Sequence, residues 1–321
     1  MTKRRRLLVA LALVGFPLPG YLVGHAETKP ETRAASVLFK QFETVAYART
    51  DFLSRFDAYD LNKDVDSLAN LRLPFLELIG GLRFLGSNAE RNVEKSYSAV
   101  LVGAKDFVGP EGLGAVSSQK CYVGMLKGSG QPDIEPDFRQ ASYESIDGRQ
   151  VWTWSIPAYE GHPSPTKFYA AQIASSYFVM TNNREDFREA VNALASAESS
   201  QTTSMGVSGW ESLSAHNYWV YRLIRRSGVV RSEAAGIEDL TPGLISLAFF
   251  ADIDKRTGFV RILSSDKSTE TIPKVFRASE LNHFQSLEPG IWRETISLSK
   301  DEAGFDALFE VFYRFGFGVA L

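Results

Sequence analysis

The sequence contains a single cysteine, Cys121, which excludes an intramolecular disulfide. Cys121 begins the apolar, strand-like segment Cys121–Met125, and free cysteines are among the most frequently buried residues. We therefore predict a buried thiol rather than a reactive one. Without disulfides, an exported protein depends on its hydrophobic core, and a chain of 321 residues is long enough to build one.

An excess of positive charge is also missing. The formal net charge is −3, and the first 26 residues hold four cations and no anion, so their removal leaves the rest more acidic. Nucleic-acid-binding proteins need a basic patch to neutralise phosphates. The composition therefore predicts no nucleic-acid partner.

Recognisable catalytic and metal-binding motifs are absent from the sequence. Gly206–Trp210 begins like a nucleophile elbow, but Trp210 occupies the position of its second glycine. The acidic run Asp60–Asp66 resembles a calcium loop, yet Val65 and Leu71 stand where that loop requires glycine and glutamate. We predict no metal and no cofactor, and the sequence leaves open whether the protein is an enzyme.

The N-terminus has the three parts of a secretory signal. Lys3–Arg6 is basic, Leu7–Val23 is uncharged and largely apolar, and Gly24–Ala26 places small residues at both positions that a signal peptidase reads. We predict that residues 1–26 are a signal peptide and that the protein is periplasmic or secreted, with no transmembrane domain after cleavage. A retained N-terminal membrane anchor is the alternative. The small, polar residues 27–36 predict a flexible leader.

Short apolar segments separated by turn residues predict β-structure between residues 97 and 180. Asp147-Gly148 between Tyr143–Ile146 and Gln150–Ile156 is a strong hairpin signal. Asn182-Asn183 precedes a helical pattern over Glu185–Ala195. The sequence therefore predicts an α+β fold, with antiparallel sheets and capped helices packed on them.

The polar stretch 196–209 predicts a linker between two domains. These domains are residues 27–198 and residues 210–321. Each half contains a hairpin, and in each a strand runs directly into a capped helical pattern. This shared order suggests the further hypothesis that the halves are related α+β units.

Two groups of residues are candidates for ligand binding. Trp152 and Trp154 alternate along a strand and therefore share one side of it, with Tyr159 and His162 downstream. They predict either an aromatic ligand platform or ordinary core packing. The basic cluster that contains Arg222, Arg225 and Arg226 predicts either an anion-binding surface or a salt-bridged one.

Two functions are compatible with these features. The first, which we favour, is an exported non-catalytic protein that binds a ligand or protein partner through a sheet surface or an interdomain cleft. The alternative is an exported hydrolase, directed at glycans, that uses carboxylates near the tryptophan pair. Its candidate acid and base are Glu144, Asp147 and Glu160.

Overall fold

The computed structural model describes residues 29–53, 71, 73–75, 97–105, 119–127, 141–157, 165–173, 176–199, 216–223, 244–264, 284–298 and 308. Within them lie the helices α1 (Pro30–Gln41), α2 (Thr50–Leu53) and α3 (Arg184–Ser199), and a 3₁₀ turn at Leu73–Phe75. The strands are β1 (Thr44–Arg49), β2 (Tyr97–Lys105), β3 (Gln119–Leu126), β4 (Ser142–Ile146), β5 (Arg149–Ile156), β6 (Thr166–Ile173), β7 (Tyr177–Thr181), β8 (Tyr218–Leu223), β9 (Leu244–Asp252), β10 (Thr257–Ser264), β11 (Gln285–Glu288) and β12 (Ile291–Ser297).

All described strands belong to one twelve-stranded sheet. Their order is β11-β12-β10-β9-β8-β1-β2-β3-β7-β6-β5-β4, and every neighbouring pair is antiparallel. The α+β fold predicted from the sequence is confirmed.

Strand β1 lies in the interior of this sheet. It pairs with β2 on one side and with β8 on the other, where Tyr47 lies opposite Trp219. Both of the predicted domains therefore contribute strands to the same sheet. The boundary between them stays a prediction.

One side of the sheet is covered by α1 and α3, and we call it the helix side. The first core cluster lies there and joins both helices to alternate residues of the strands. Phe39 of α1 stacks on Trp219 at a centroid distance of 6.3 Å and meets Tyr221 edge-on at 5.4 Å. The helix side is thus a packed layer across β1–β3 and β6–β8.

Helix α1 shows that the predicted flexible leader is wrong over residues 30–36. Pro30 occupies the first turn, where its missing N–H costs nothing and its fixed φ suits a helix. Ala34, Ala35, Val37 and Leu38 are buried against the sheet. The small residues that indicated flexibility instead allow the helix to approach the strands closely.

The other side of the sheet, which we call the opposite side, carries a second core cluster. Because strand side chains alternate, it takes the residues between those of the helix side. Its largest members are aromatic: Tyr122, Trp154, Phe178, Tyr218, Phe249 and Trp292. Strands such as β7 are therefore buried on both sides.

Two local predictions from turn and cap chemistry are confirmed. Asp147 and Gly148 have φ of 50° and 76°, the positive values that a two-residue hairpin turn requires. Asn183 caps α3, because its Oδ1 accepts the N–H groups of Glu185 at 2.9 Å and Asp186 at 3.1 Å. The helix continues to Ser199, beyond the predicted end at Ala195 and into the start of the predicted linker.

Several sequence predictions fall on residues outside those described and stay predictions. They are the signal peptide at 1–26, the acidic run at 60–66, the serine segment at 206–210, the linker from residue 200 to residue 209, and the side chains of Tyr159, Glu160, His162, Arg225 and Arg226.

Candidate ligand-binding surfaces

The two predicted platform tryptophans lie on the opposite side of the sheet, near the β4 edge. Trp154 is only 3% exposed and stacks on Phe168 at a centroid distance of 5.4 Å, so it is part of the core. Trp152 is partly buried and lies 6.3 Å from the ring of Tyr143, which is 60% exposed. The surface aromatic pair is therefore Tyr143 and Trp152, because Tyr143 is the cross-strand partner of Trp152.

The described carboxylates near this strand are held away from the tryptophans. Glu144 is the cross-strand partner of Val151, a member of the helix-side core, so its side chain leaves the sheet on that side. It accepts a hydrogen bond from Lys167 Nζ at 2.8 Å. Glu144 and Trp152 therefore do not converge on one site.

Asp147 in the hairpin turn is likewise engaged. Its two oxygens accept hydrogen bonds from Arg188, from Nε at 3.0 Å and from Nη2 at 3.2 Å. These hydrogen bonds hold the pKa of Asp147 below its usual value. A general acid needs a raised pKa, so this environment suits a permanently ionised carboxylate instead.

Arg222, the described member of the basic cluster, lies in the interior. It is 3% exposed, and it lies on the same side of β8 as Tyr218 and Val220 of the opposite-side core. A ligand on the protein surface therefore does not reach this guanidinium.

Cys121 is fully buried on the helix side. Burial raises the pKa of its thiol, the nearby Asp186 carboxylate raises it further, and Lys105 opposes both. Lys105 Nζ is hydrogen-bonded to Asp186 at 2.5 Å. The thiol is thus neutral and packed, as its apolar sequence context predicted.

The helix side of β10 and β12 is less deeply buried than that of the central strands. The burial of β10 alternates strictly: Val260 and Ile262 are buried on the opposite side, while the residues between them are partly exposed. Strand β12 has the same alternation. We call the partly exposed residues Phe259, Arg261, Leu263, Ile291 and Arg293 the β10–β12 surface.

These five side chains form cross-strand pairs and a stacked contact. Arg261 lies directly opposite Arg293, and Leu263 lies opposite Ile291. The guanidinium of Arg293 is 5.4 Å from the centroid of the Phe259 ring, a cation–π distance. Phe259 in turn stacks on Phe250 at 5.2 Å.

The arginine pair carries an electrostatic cost. Like charges directly opposite each other in an antiparallel pair are destabilising, by about 0.2–1 kcal/mol. Burial lowers the pKa of Arg261, and only the Tyr221 hydroxyl opposes that effect. In the same cross-strand row, only the small Ala248 separates Tyr221 from Arg261.

Several cations elsewhere in the described ranges are paired with carboxylates. Lys105, Lys167, Arg188 and Lys255 each contact an aspartate or glutamate at 2.5–3.3 Å. Among the residues described, none of these pairs includes Arg261 or Arg293. Two neighbouring cations thus share a partly buried surface with an aromatic ring.

The sequence analysis did not predict the β10–β12 surface, although the pattern of one of its two strands is visible in the sequence. Phe259, Arg261 and Leu263 alternate in the sequence with the apolar residues Val260 and Ile262, a strand pattern that places the three on one side. The rest of the surface depends on the register that places Arg293 beside Arg261. That register joins strands separated in the sequence, and no turn motif announces it.

The described part of the chain contains no group of three or more histidine, cysteine, aspartate or glutamate residues that could hold a metal ion. Over the same residues, no helix has the length and hydrophobicity of a membrane-spanning segment.

Comparison with known proteins gives limited information. No protein-family model and no curated protein sequence matches the chain. Among solved structures, crystal form I of TP0453 is 10% identical, with a TM-score of 0.43 over 85% of this chain and 96% of that one. Crystal form IV of TP0453 is 11% identical, with a TM-score of 0.40 over 82% and 92%. Similarity at this level carries no argument about function.

Proposed function

We propose that the chain is an exported, non-catalytic protein that binds a ligand through the β10–β12 surface. The observation that carries this proposal is the contiguous set of partly exposed cationic, aromatic and apolar side chains on two paired strands. Binding sites combine apolar area with a few polar groups that fix orientation. This surface has both.

The position of the surface supports the same proposal. Its side chains stand on paired strands whose opposite side is buried in the core, so their backbone is fixed before any ligand arrives. It adjoins the aromatic contacts of α1 with β8 through Phe250 and Tyr221. A ligand here therefore meets a rigid surface, and its binding requires little ordering of the protein.

A hydrolase on the tryptophan strand receives no such support. Glu144 leaves the sheet on the side away from Trp152, and Asp147 is held ionised by Arg188. A glycosidase needs two carboxyl groups facing one substrate.

Ligand binding is tested by a thermal-shift screen of the mature protein against a defined set of sugars, amino acids, carboxylates and phosphates. Leu263→Thr/Ile291→Thr replaces two apolar side chains of the surface by threonine, a β-branched residue that favours strands. Tyr143→Ser alters an exposed aromatic residue on the opposite side and is the matched control. We expect at least one compound to raise the Tm of the wild type and of the control but not of the double variant. Stabilisation of all three proteins by the same compounds would contradict the proposal. A screen in which no compound raises the Tm of the wild type would contradict it as well.

Export is a separate part of the proposal and rests on the basic and apolar segments of residues 1–26. It is tested by expressing the full chain in its own cell, fractionating the cell and sequencing the N-terminus of the product. We expect a start at Glu27 in an extracytoplasmic fraction. An intact Met1 in the cytoplasm would refute export, and an intact Met1 in the membrane would replace it with the anchor.

A further inference from the structure

The strand register places two arginine side chains of the β10–β12 surface next to each other. Arg261 and Arg293 are direct cross-strand partners, and both side chains leave the sheet on the helix side. Cβ atoms in such pairs are about 4.5–5.5 Å apart, so the two groups can reach a common ligand. Each guanidinium has up to five N–H donors and no acceptor. Neither group can therefore satisfy the other.

The surroundings fix how the two groups are presented. The guanidinium carbon of Arg293 lies 5.4 Å from the centroid of the Phe259 ring, and a cation–π contact of this kind uses no N–H donor. Arg261 is partly buried and partly desolvated, in the cross-strand row that contains Ala248 and Tyr221. A group that bridges the pair thus meets one desolvated and one stacked arginine.

The remaining requirement is negative charge. Elsewhere in the described residues, carboxylates pair with some basic groups of the helix side, such as Lys105 with Asp186 and Lys167 with Glu144. In that same part of the chain, no carboxylate contacts Arg261 or Arg293. An anionic ligand would supply the missing counter-charge.

From these observations we infer that Arg261 and Arg293 form an oxyanion-binding site that takes a phosphate or carboxylate group. Planar guanidinium forks match the oxygen spacing of both anions and bind them through paired N–H···O hydrogen bonds. The inference rests on the proposed function and specifies the chemical class of its ligand. The neighbouring pair Leu263 and Ile291 favours an anion that also carries an apolar portion.

The first test is isothermal titration of the mature protein with inorganic phosphate, citrate and hexyl phosphate in chloride buffer of constant ionic strength. We expect hexyl phosphate to bind more tightly than inorganic phosphate. Arg261→Gln and Arg293→Gln should each weaken binding about 10-fold or more, since each removes charged hydrogen bonds. Arg149→Gln removes an exposed strand arginine elsewhere and should leave binding unchanged.

Two further variants separate a positioned fork from charge alone. Arg261→Lys and Arg293→Lys keep the charge but lose the bidentate geometry, so we expect weakened binding with a similar salt dependence. Without any oxyanion, Arg261→Gln and Arg293→Gln should have a Tm equal to or above that of the wild type, because each relieves the repulsion in the pair. Full affinity in the lysine variants would overturn the positioned fork.

The oxyanion can be a free metabolite or a lipid headgroup, and flotation with vesicles distinguishes the two sources. Binding of hexyl phosphate in solution without flotation identifies a free ligand. Flotation with phosphatidylglycerol vesicles but not with phosphatidylcholine vesicles, lost in both glutamine variants, identifies a headgroup. Either result supports the site.

Failure of this inference differs from failure of the proposed function. If no oxyanion binds, yet a neutral compound binds the wild type and not Leu263→Thr/Ile291→Thr, the oxyanion site is refuted and the binding surface remains. Oxyanion binding that both glutamine variants retain refutes the arginine pair as its site. If no compound binds at all, both proposals fail.

Discussion

The close approach of β2 to the end of α1 gives a sharp test of the packing on the helix side. Gly103 lies beneath Phe42, the fully buried C-cap residue that follows α1. A Cβ atom at position 103 would lie 2.6 Å from Cγ and Cδ2 of Phe42 and 3.1 Å from its Cβ. Gly103→Ala must therefore displace the Phe42 ring, and with it α1 or β2.

The size of the effect follows from two opposing contributions. Overpacking a dense core costs about 1–3 kcal/mol. Alanine is favoured over glycine in a strand interior by about 0.5–1 kcal/mol. The net expectation is a loss of about 0.5–2 kcal/mol in the free energy of unfolding, with about 2–4 °C of Tm for each kcal/mol.

Urea denaturation of a double-mutant cycle measures this effect. Phe42→Ala alone should cost about 3–5 kcal/mol, because it empties a buried site. In that background Gly103→Ala should be neutral or stabilising, since the added methyl group then fills space. An equal cost of Gly103→Ala in both backgrounds, or a single variant as stable as the wild type, would refute the packing of Phe42 on β2.

Three further predictions concern local structure around the β4–β5 hairpin and α3. Asn183→Ala should lower stability by about 1 kcal/mol, and Asn183→Asp should restore it, because only the second keeps an oxygen to cap α3; thermal melts of both variants measure this. Gly148→Ala should lower the free energy of unfolding by about 1–2 kcal/mol, because the φ of Gly148 is 76° and alanine is strained there. Urea denaturation of the variant and the wild type measures this loss. The pKa of Asp147 is lowered in the fold, so its stabilisation is present above about pH 4 and is lost as the pH falls through the folded value. The Tm difference between the wild type and Asp147→Asn should accordingly shrink between pH 5 and pH 2, and a constant difference would contradict the role of Arg188.

The elements that the sequence predicted well are those specified by adjacent residues. The β4–β5 hairpin follows from Asp147-Gly148, because only residues tolerant of positive φ make this turn. The start of α3 follows from Asn183, whose side chain can satisfy the free amides of a first turn. Both signals act within a few residues and need no knowledge of the rest of the fold.

Helix α1 illustrates why composition alone misleads. Residues 27–36 are small and polar, which is typical of a flexible terminus, yet the helix that begins at Pro30 buries Ala34 and Ala35 at the sheet. Small side chains do not distinguish a mobile segment from a helix that must approach strands closely. Only the aromatic surface of Trp219 and Tyr221, far away in the sequence, determines which applies.

The candidate sites show the same difference between what neighbouring residues specify and what distant strands determine. Alternation on β5 correctly placed Trp152 and Trp154 on one side, but the depth of each depends on neighbouring strands: Phe168 of β6 covers Trp154, whereas Tyr143 of the edge strand leaves Trp152 partly open. Strand β11, which borders the other edge, was not predicted, because all of its residues are exposed and it lacks an apolar pattern.

A comparison with the buried central strands shows why the arginine pair of β10 and β12 is unusual for this sheet. Interior strand β7 is buried on both sides and contains only apolar residues and one threonine, as a sheet between two packed layers requires. Strand β10 belongs to the same sheet, yet it is buried on one side only and places Phe259, Arg261 and Leu263 on the other. A solvated strand surface with no binding role needs neither a phenylalanine stacked under an arginine nor a second arginine opposite the first, since the first arrangement exposes apolar area and the second adds repulsion. An anion that bridged the pair would offset both costs, and that is the physical reason why we propose a ligand at β10 and β12 rather than at the tryptophans.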